Sequence, residues 1–176
     1  MGYQGRAARP VVIGVVGWKN NGKTTLIERL VARFTTAGLA VSTVKHTHHA
    51  ADLDRPGKDT FRHRLAGARE VVLASSVRFA ILHELRGAPE PELDALLARM
   101  APVDLVIVEG FKRFAHPKIE VHRKARGTPL LARTDPDIIA VASDEPLEGL
   151  AVPVLPLDDV AGIAAVIAAH LELEPR

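Results

Sequence analysis

A mostly parallel α/β fold flanked by helices is what this sequence predicts, and three observations predict it. Apolar runs of strand length alternate with segments whose apolar residues recur at helical spacing, the pattern of strand–helix–strand units. The first run, Val11–Val16 (VVIGVV), is apolar throughout, as a strand buried on both faces is. Between it and the first helical segment lies Gly17-Trp18-Lys19-Asn20-Asn21-Gly22-Lys23-Thr24-Thr25, which meets every fixed position of G-x-x-x-x-G-K-[ST]. The predicted architecture is therefore a phosphate-loop NTPase fold.

The elements follow in order. A helix is predicted from about Lys23, because Ile27, Leu30, Val31 and Phe34 share one face, with Gly38 closing it. Residues 40–45 read as a second strand. Residues 46–58 are polar and broken by Pro56-Gly57, hence a loop. Asp59 caps a short helix through Ala66, stopped at Gly67. Strands are predicted at 70–74 and 78–82. Pro91 opens a helix carrying Leu93, Leu96, Leu97 and Met100, which ends before Pro102. Residues 105–108 (LVIV) form a short apolar strand. In 118–122 Ile119 and Val121 alternate with polar residues, as on an edge or half-buried strand. A core strand at 138–142 precedes a terminal helix capped by Asp158 or Asp159, with Val160, Ile163, Ala164, Ile167 and Leu171 inward. No helix is predicted between 110 and 137, so some antiparallel pairing is expected there. Residues 1–10 are expected to be a flexible N-terminal tail, and 11–176 a single phosphate-loop nucleotide-binding domain.

Composition narrows the functional classes. The chain has 176 residues, 47% of them apolar, enough for a core without cross-links. It contains no cysteine, which removes disulfides, thiolate metal sites and thiol nucleophiles. The longest apolar stretch, 161–169, is far short of the ~20 residues of a membrane-spanning helix. No cleavable leader follows Arg6 and Arg9, and a cytoplasmic location is expected. The net charge of +2 gives no global footprint for nucleic acid. Locally, Lys112, Arg113, Lys118, Arg123, Lys124 and Arg126 face only Glu109 and Glu120 in 109–126. That segment is either a solvated surface or a landing site for phosphates or an acidic partner.

The chemistry centres on the phosphate loop. Its backbone N–H groups and the helix N-terminus make an anion concavity to which Gly17, Asn20, Asn21, Gly22 and Thr25 belong. Lys23 supplies a charge for the β- and γ-phosphates, and the Thr24 hydroxyl is placed to ligate Mg²⁺. Glu109, at the end of LVIV, is the candidate carboxylate on the metal side, or else a surface residue at a strand end. The loop after the second strand carries Lys45-His46-Thr47-His48-His49, with Asp52 and Asp54 beyond. Thr47, Asp52 and Asp54 are candidates for the metal or the attacking water. His46, His48 and His49 leave open a metal site, polar contacts or a solvated loop. No N-K-x-D guanine signature is present. Asp144, just past the 138–142 strand, either accepts from guanine N1–H and N2–H₂ or caps the turn before Pro146.

Together these residues resemble the molybdopterin-guanine dinucleotide biosynthesis protein B (MobB) family. The resemblance runs from Val12 to about Leu147. It rests on GWKNNGKTTL (17–26), VKHTHH (44–49), DRPGKDT (54–60), RLAGA (64–68), VEGFK (108–112), HPKIEV (116–121) and IAVASDEP (139–146). It implies a phosphate-loop fold, GTP and Mg²⁺ binding, slow GTP hydrolysis and homodimerisation. It also implies an adapter role beside the guanylyltransferase that attaches GMP to molybdopterin. Matched by motif, the phosphate-loop residues hold GTP and Glu109 is the acid of the second nucleotide motif. The basic 112–126 segment is the expected contact for molybdopterin or the transferase; neither nucleic acid nor membrane is expected. Trp18 directly follows Gly17, so the extra lysine of dimeric deviant phosphate-loop ATPases is missing from that position.

Two other functions fit the same fold. One is a small-molecule kinase with Arg55, Arg62, Arg64 and Arg69 in a lid; the other is a metal-delivery GTPase using the histidine loop, which the lack of cysteine weakens. Slow turnover is expected because the one glutamine, Gln4, lies in the tail and no arginine lies in the phosphate loop or in 45–54.

Overall fold

In a computed structural model, which describes residues 10–47 and 54–174, the VVIGVV run is a central strand of a six-stranded sheet. The elements in chain order are β1 (Val11–Val16), α1 (Lys23–Thr36), β2 (Val41–Lys45), α2 (Asp59–Leu65), β3 (Glu70–Ala74), β4 (Phe79–His83), α3 (Leu93–Leu97), β5 (Leu105–Glu109), β6 (Lys118–His122), β7 (Ile138–Ser143), β8 (Val154–Pro156) and α4 (Val160–Leu171). Short 3-10 turns occupy Lys124–Arg126 and Leu131–Arg133. The chain divides into two compact units, Met1–His46 with Arg99–Arg176, and Thr47–Ala98.

In the first unit the sheet order is β2-β5-β1-β6-β7-β8, and all its neighbouring strands run parallel. Parallel sheets need both faces covered. One face buries Ile13, Val15, Ile107, Ile119, Val121 and Ala142 against Leu26, Ile27, Leu30 and Phe34 of α1 and Ile163, Ala164 and Ile167 of α4. On the other, Val16, Ile138 and Val141 meet Leu130, Leu131, Leu147, Leu150, Val152 and Val154. Both helices end as their sequences predict. Gly38, at φ 87°, follows the cap of α1 and donates to the Thr35 carbonyl. Asp159, rather than Asp158, caps α4 by accepting from Gly162 N at 2.9 Å.

β6 corrects the expectation of an edge or half-buried strand. It lies between β1 and β7, and Lys118, Glu120 and His122 are all buried. The charges of Lys118 and Glu120 are answered from inside the fold, not by water. Lys118 Nζ lies 3.1 Å from both Asp135 Oδ2 and Asp137 Oδ2. The Glu120 carboxylate accepts from Leu131 N at 2.9 Å and Ala132 N at 2.8 Å. Buried charges persist only when paired in this way.

The antiparallel pairing expected within 110–137 lies instead at β3–β4, and β6 is parallel to both its neighbours. With no helix after β5, the coil 110–117 makes the crossover. It lies so close to β1 that a Cβ on Gly14 would sit 2.5 Å from His116 Nε2, while Gly14 N donates to Pro117 O at 2.8 Å. Burial, and then Lys118, hold the His116 imidazole below its ordinary pKa, so the crossover packs a neutral ring.

The second unit holds α2, the β3–β4 pair and α3. Within it Arg64 lies 3.3 Å from Glu84, and Arg86 donates to the Arg64 and Ala68 carbonyls. The pairing register places Val72 opposite Ile81 and Ala74 opposite Phe79. Val72, Ile81 and Phe79 therefore share a face, and each is more than half exposed.

Candidate functional site

The phosphate loop joins β1 to α1 where the backbone must come closest to its neighbours. Gly17 has φ 141°, and a Cβ there would run into the Val121 carbonyl oxygen of β6. Gly22, at φ 99°, is the residue from which α1 starts. Both positions favour glycine. Asn21 is fully buried and donates from Nδ2 to that same Val121 oxygen at 3.1 Å, which fixes the loop to the sheet. Trp18 Nε1 donates to Pro129 O at 2.8 Å, and Lys112 Nζ lies 4.5 Å from the centre of its indole ring.

A cleft of about 570 Å³ opens beside the loop, lined by Lys19, Asn20, Gly22, Lys23, Thr24, Thr25, Lys45, Glu109 and Arg126. Four of these residues are cationic and one is a carboxylate, so the cleft favours anions. Lys23 Nζ folds back onto the Trp18 carbonyl at 2.9 Å. Burial is the main cause lowering its pKa below the ordinary lysine value; Glu109 opposes the shift, while Lys112 and Lys45 add to it. A phosphate anion would relieve that strain.

Glu109 ends β5 directly beside β1 and in register with Lys45. Its Oε1 lies 3.5 Å from Thr24 Oγ1, and its Oε2 3.3 Å from Lys45 Nζ. Two hard oxygen donors that close, at the mouth of a phosphate cradle, fit Mg²⁺, which takes one or two protein oxygens and completes its shell with phosphates and water. Thr24 and Glu109 would hold it, and it would neutralise charge on the phosphates.

The structure thus brings Asn20, Gly22, Lys23, Thr24, Thr25 and Glu109 to one cleft, with Gly17 and Asn21 supporting them from behind. Asp144 stands at a separate cavity of about 330 Å³, lined also by Ser143, Pro146, Leu147, Val154 and Leu155. Its Oδ1 accepts from Lys124 N at 3.0 Å, and its Oδ2 lies 3.4 Å from Arg123 Nη1. Arg123 also borders the loop, 3.6 Å from where a Gly22 Cβ would be. Asp54 belongs to the second unit, where it accepts from Arg55 N and from Thr60 Oγ1. Asp52, His48 and His49 lie outside the described residues. His46 packs its ring 4.6 Å from that of Phe111. Among the described residues no group of three His, Cys, Asp or Glu is placed to hold a metal.

Two features of the site escape the sequence reading. Arg126 lines the cleft, and β8 walls the Asp144 cavity. Arg126 had a signal, the basic run ending at 126, but nothing local pointed that run at the phosphate loop. The run is in fact divided. Lys118 is in the core, Lys112 covers Trp18, Lys124 pairs with Glu145 at 2.8 Å, and Arg123 and Arg126 lie beside the phosphate loop.

Comparison with known proteins is consistent across sequence and fold. A family model described as Molybdopterin guanine dinucleotide synthesis protein B matches residues 12–144. The chain is 39% identical over 156 residues to the molybdopterin-guanine dinucleotide biosynthesis adapter protein of Escherichia coli (strain K12), covering 87% of this chain and 89% of that one. It is 40% identical over 140 residues to the protein of the same description from Haemophilus influenzae, covering 78% and 76%. A crystal structure of a MobB protein homolog from Bacillus stearothermophilus superposes with a TM-score of 0.68 at 32% identity, over 92% of this chain and 97% of that one.

Proposed function

We propose, from the premise that this chain belongs to the molybdopterin guanine dinucleotide synthesis protein B family, that it is a GTP-binding adapter for molybdopterin guanine dinucleotide biosynthesis. It works beside the guanylyltransferase that attaches GMP to molybdopterin, in the cytoplasm. The observation that carries the nucleotide part is the phosphate loop opening α1 beside Glu109, in a cleft where cations outnumber carboxylates. Lys23 and the loop amides hold the phosphates, and Thr24 and Glu109 hold Mg²⁺. No glutamine other than Gln4 is available to orient an attacking water, which favours slow hydrolysis.

Guanine selection is assigned to the cavity at Asp144. Each of its carboxylate oxygens carries one internal contact and has capacity for a second, from guanine N1–H and N2–H₂. Homodimerisation is supported by the exposed apolar face of Val72, Phe79 and Ile81, since such patches mark association surfaces.

Calorimetric titration with MgGTP and MgATP tests this reading. GTP is expected to bind more tightly than ATP, and Asp144→Asn to narrow the gap by about 10- to 100-fold, the worth of a charged hydrogen-bonded contact. Light scattering on the same sample reads the dimer. Equal affinities for the two nucleotides in the unaltered protein would remove the guanine assignment, and a monomer would remove the dimer.

A further inference from the structure

We propose that Arg126 is a phosphate ligand supplied by the protein to its own nucleotide site, carried there by a strap, residues 123–135, that the sheet holds in place. The proposal deepens the nucleotide reading above and rests on it. Arg126 lines the phosphate cleft with Lys19, Lys23 and Thr24. Of the three lysines there, two are already engaged and, among the described residues, Lys19 is not. Lys23 lies on the Trp18 carbonyl, Lys45 on Glu109, and nearby Arg123 on Asp144. Among the described residues, the Arg126 guanidinium makes no hydrogen bond or ion pair. It is the one arginine of the cleft, and its planar fork suits bidentate phosphate oxygens.

The strap is fixed on both sides of Arg126. Before it, Asp144 accepts from Lys124 N and pairs with Arg123. Within the turn, Arg126 N donates to Arg123 O and Gly127 takes φ 60°. After it, Pro129 O accepts from the phosphate-loop Trp18, Glu120 accepts from Leu131 N and Ala132 N, and Asp135 meets buried Lys118. A side chain presented from such a strap loses little backbone freedom when phosphate binds. This also accounts for the polar face of β6. Lys118 and Glu120 are buried charges whose partners lie on the strap, or just beyond it in the case of Asp137.

The test compares the unaltered protein with Arg126→Gln and Arg126→Lys, titrating MgGTP, tripolyphosphate and guanosine and reading the single Trp18, which sits in the loop itself. Arg126→Gln is expected to weaken MgGTP and tripolyphosphate binding by about 10- to 100-fold and leave guanosine unchanged. Arg126→Lys should recover part of the loss, since it restores charge without the fork. The melting temperature should not move, because the side chain has no partner to lose. Unchanged MgGTP and tripolyphosphate affinity in Arg126→Gln would overturn this proposal and leave the nucleotide reading standing. Equal losses for guanosine and tripolyphosphate would also overturn it, because they would make Arg126 a structural residue. Absence of MgGTP binding by the unaltered protein would overturn both.

Discussion

Lys23→Ala is expected to lower MgGTP affinity by about 100-fold or more while leaving the unfolding transition in place. The two halves of this expectation have one cause. In the absence of phosphate the Lys23 ammonium has a single neutral partner, the Trp18 carbonyl, and its pKa is pulled down by burial. Its charge is thus a cost to the folded protein, and its removal leaves no buried carboxylate stranded. With phosphate present the same ammonium becomes a charge-assisted donor, worth roughly 1.5–3 kcal/mol for each such bond. Calorimetry on the variant measures the first half and urea unfolding the second. Unchanged affinity would remove Lys23 from the phosphate site.

Lys118→Met is expected to do the reverse, costing about 3–5 kcal/mol of stability, the range for removing one partner of a buried ion pair. Methionine fills most of the lysine stem, so the loss measures the charge and not a cavity. Lys118 is 1% exposed, and its loss would leave Asp135 and Asp137 facing each other across its place. The partial exposure of those two carboxylates argues for the lower end of the range. The sequence placed Lys118 among surface cations for a partner; the fold makes it a bolt between β6 and the strap. A shift in the urea midpoint equivalent to under about 1 kcal/mol would contradict that role.

What was legible in the sequence was what local chemistry decides. The phosphate loop, the start of α1 at Lys23, the Gly38 stop and the Asp159 cap each depend on residues within one or two turns of each other. β1, β5 and β7 are apolar on both faces, so their burial could be read directly. β6 could not. Its Lys118 and Glu120 face partners 11 to 19 positions away, and alternation looks the same whether water or a buried group answers it. β8 is three residues, too short for a period. The strands at 70–74 and 79–83 were legible as strands, but their exposure was not, since that depends on what covers them. Arg126 is the consequential omission. The slow-turnover expectation relied partly on the lack of an arginine in the phosphate or 45–54 loops, and the strap brings one in from elsewhere in the chain. Slow hydrolysis is then expected from the missing water-orienting glutamine alone.

The most direct test of the adapter reading is the yield of molybdopterin guanine dinucleotide from a purified guanylyltransferase, molybdopterin and MgGTP, with and without this protein. The yield is expected to rise when the protein is added, with Lys23→Ala failing to raise it, and with GTP hydrolysis by the protein alone well below the ~1 s⁻¹ floor of typical enzymes. An unchanged yield, together with GTP turnover of several per second by the isolated protein, would contradict the reading and make it an enzyme in its own right.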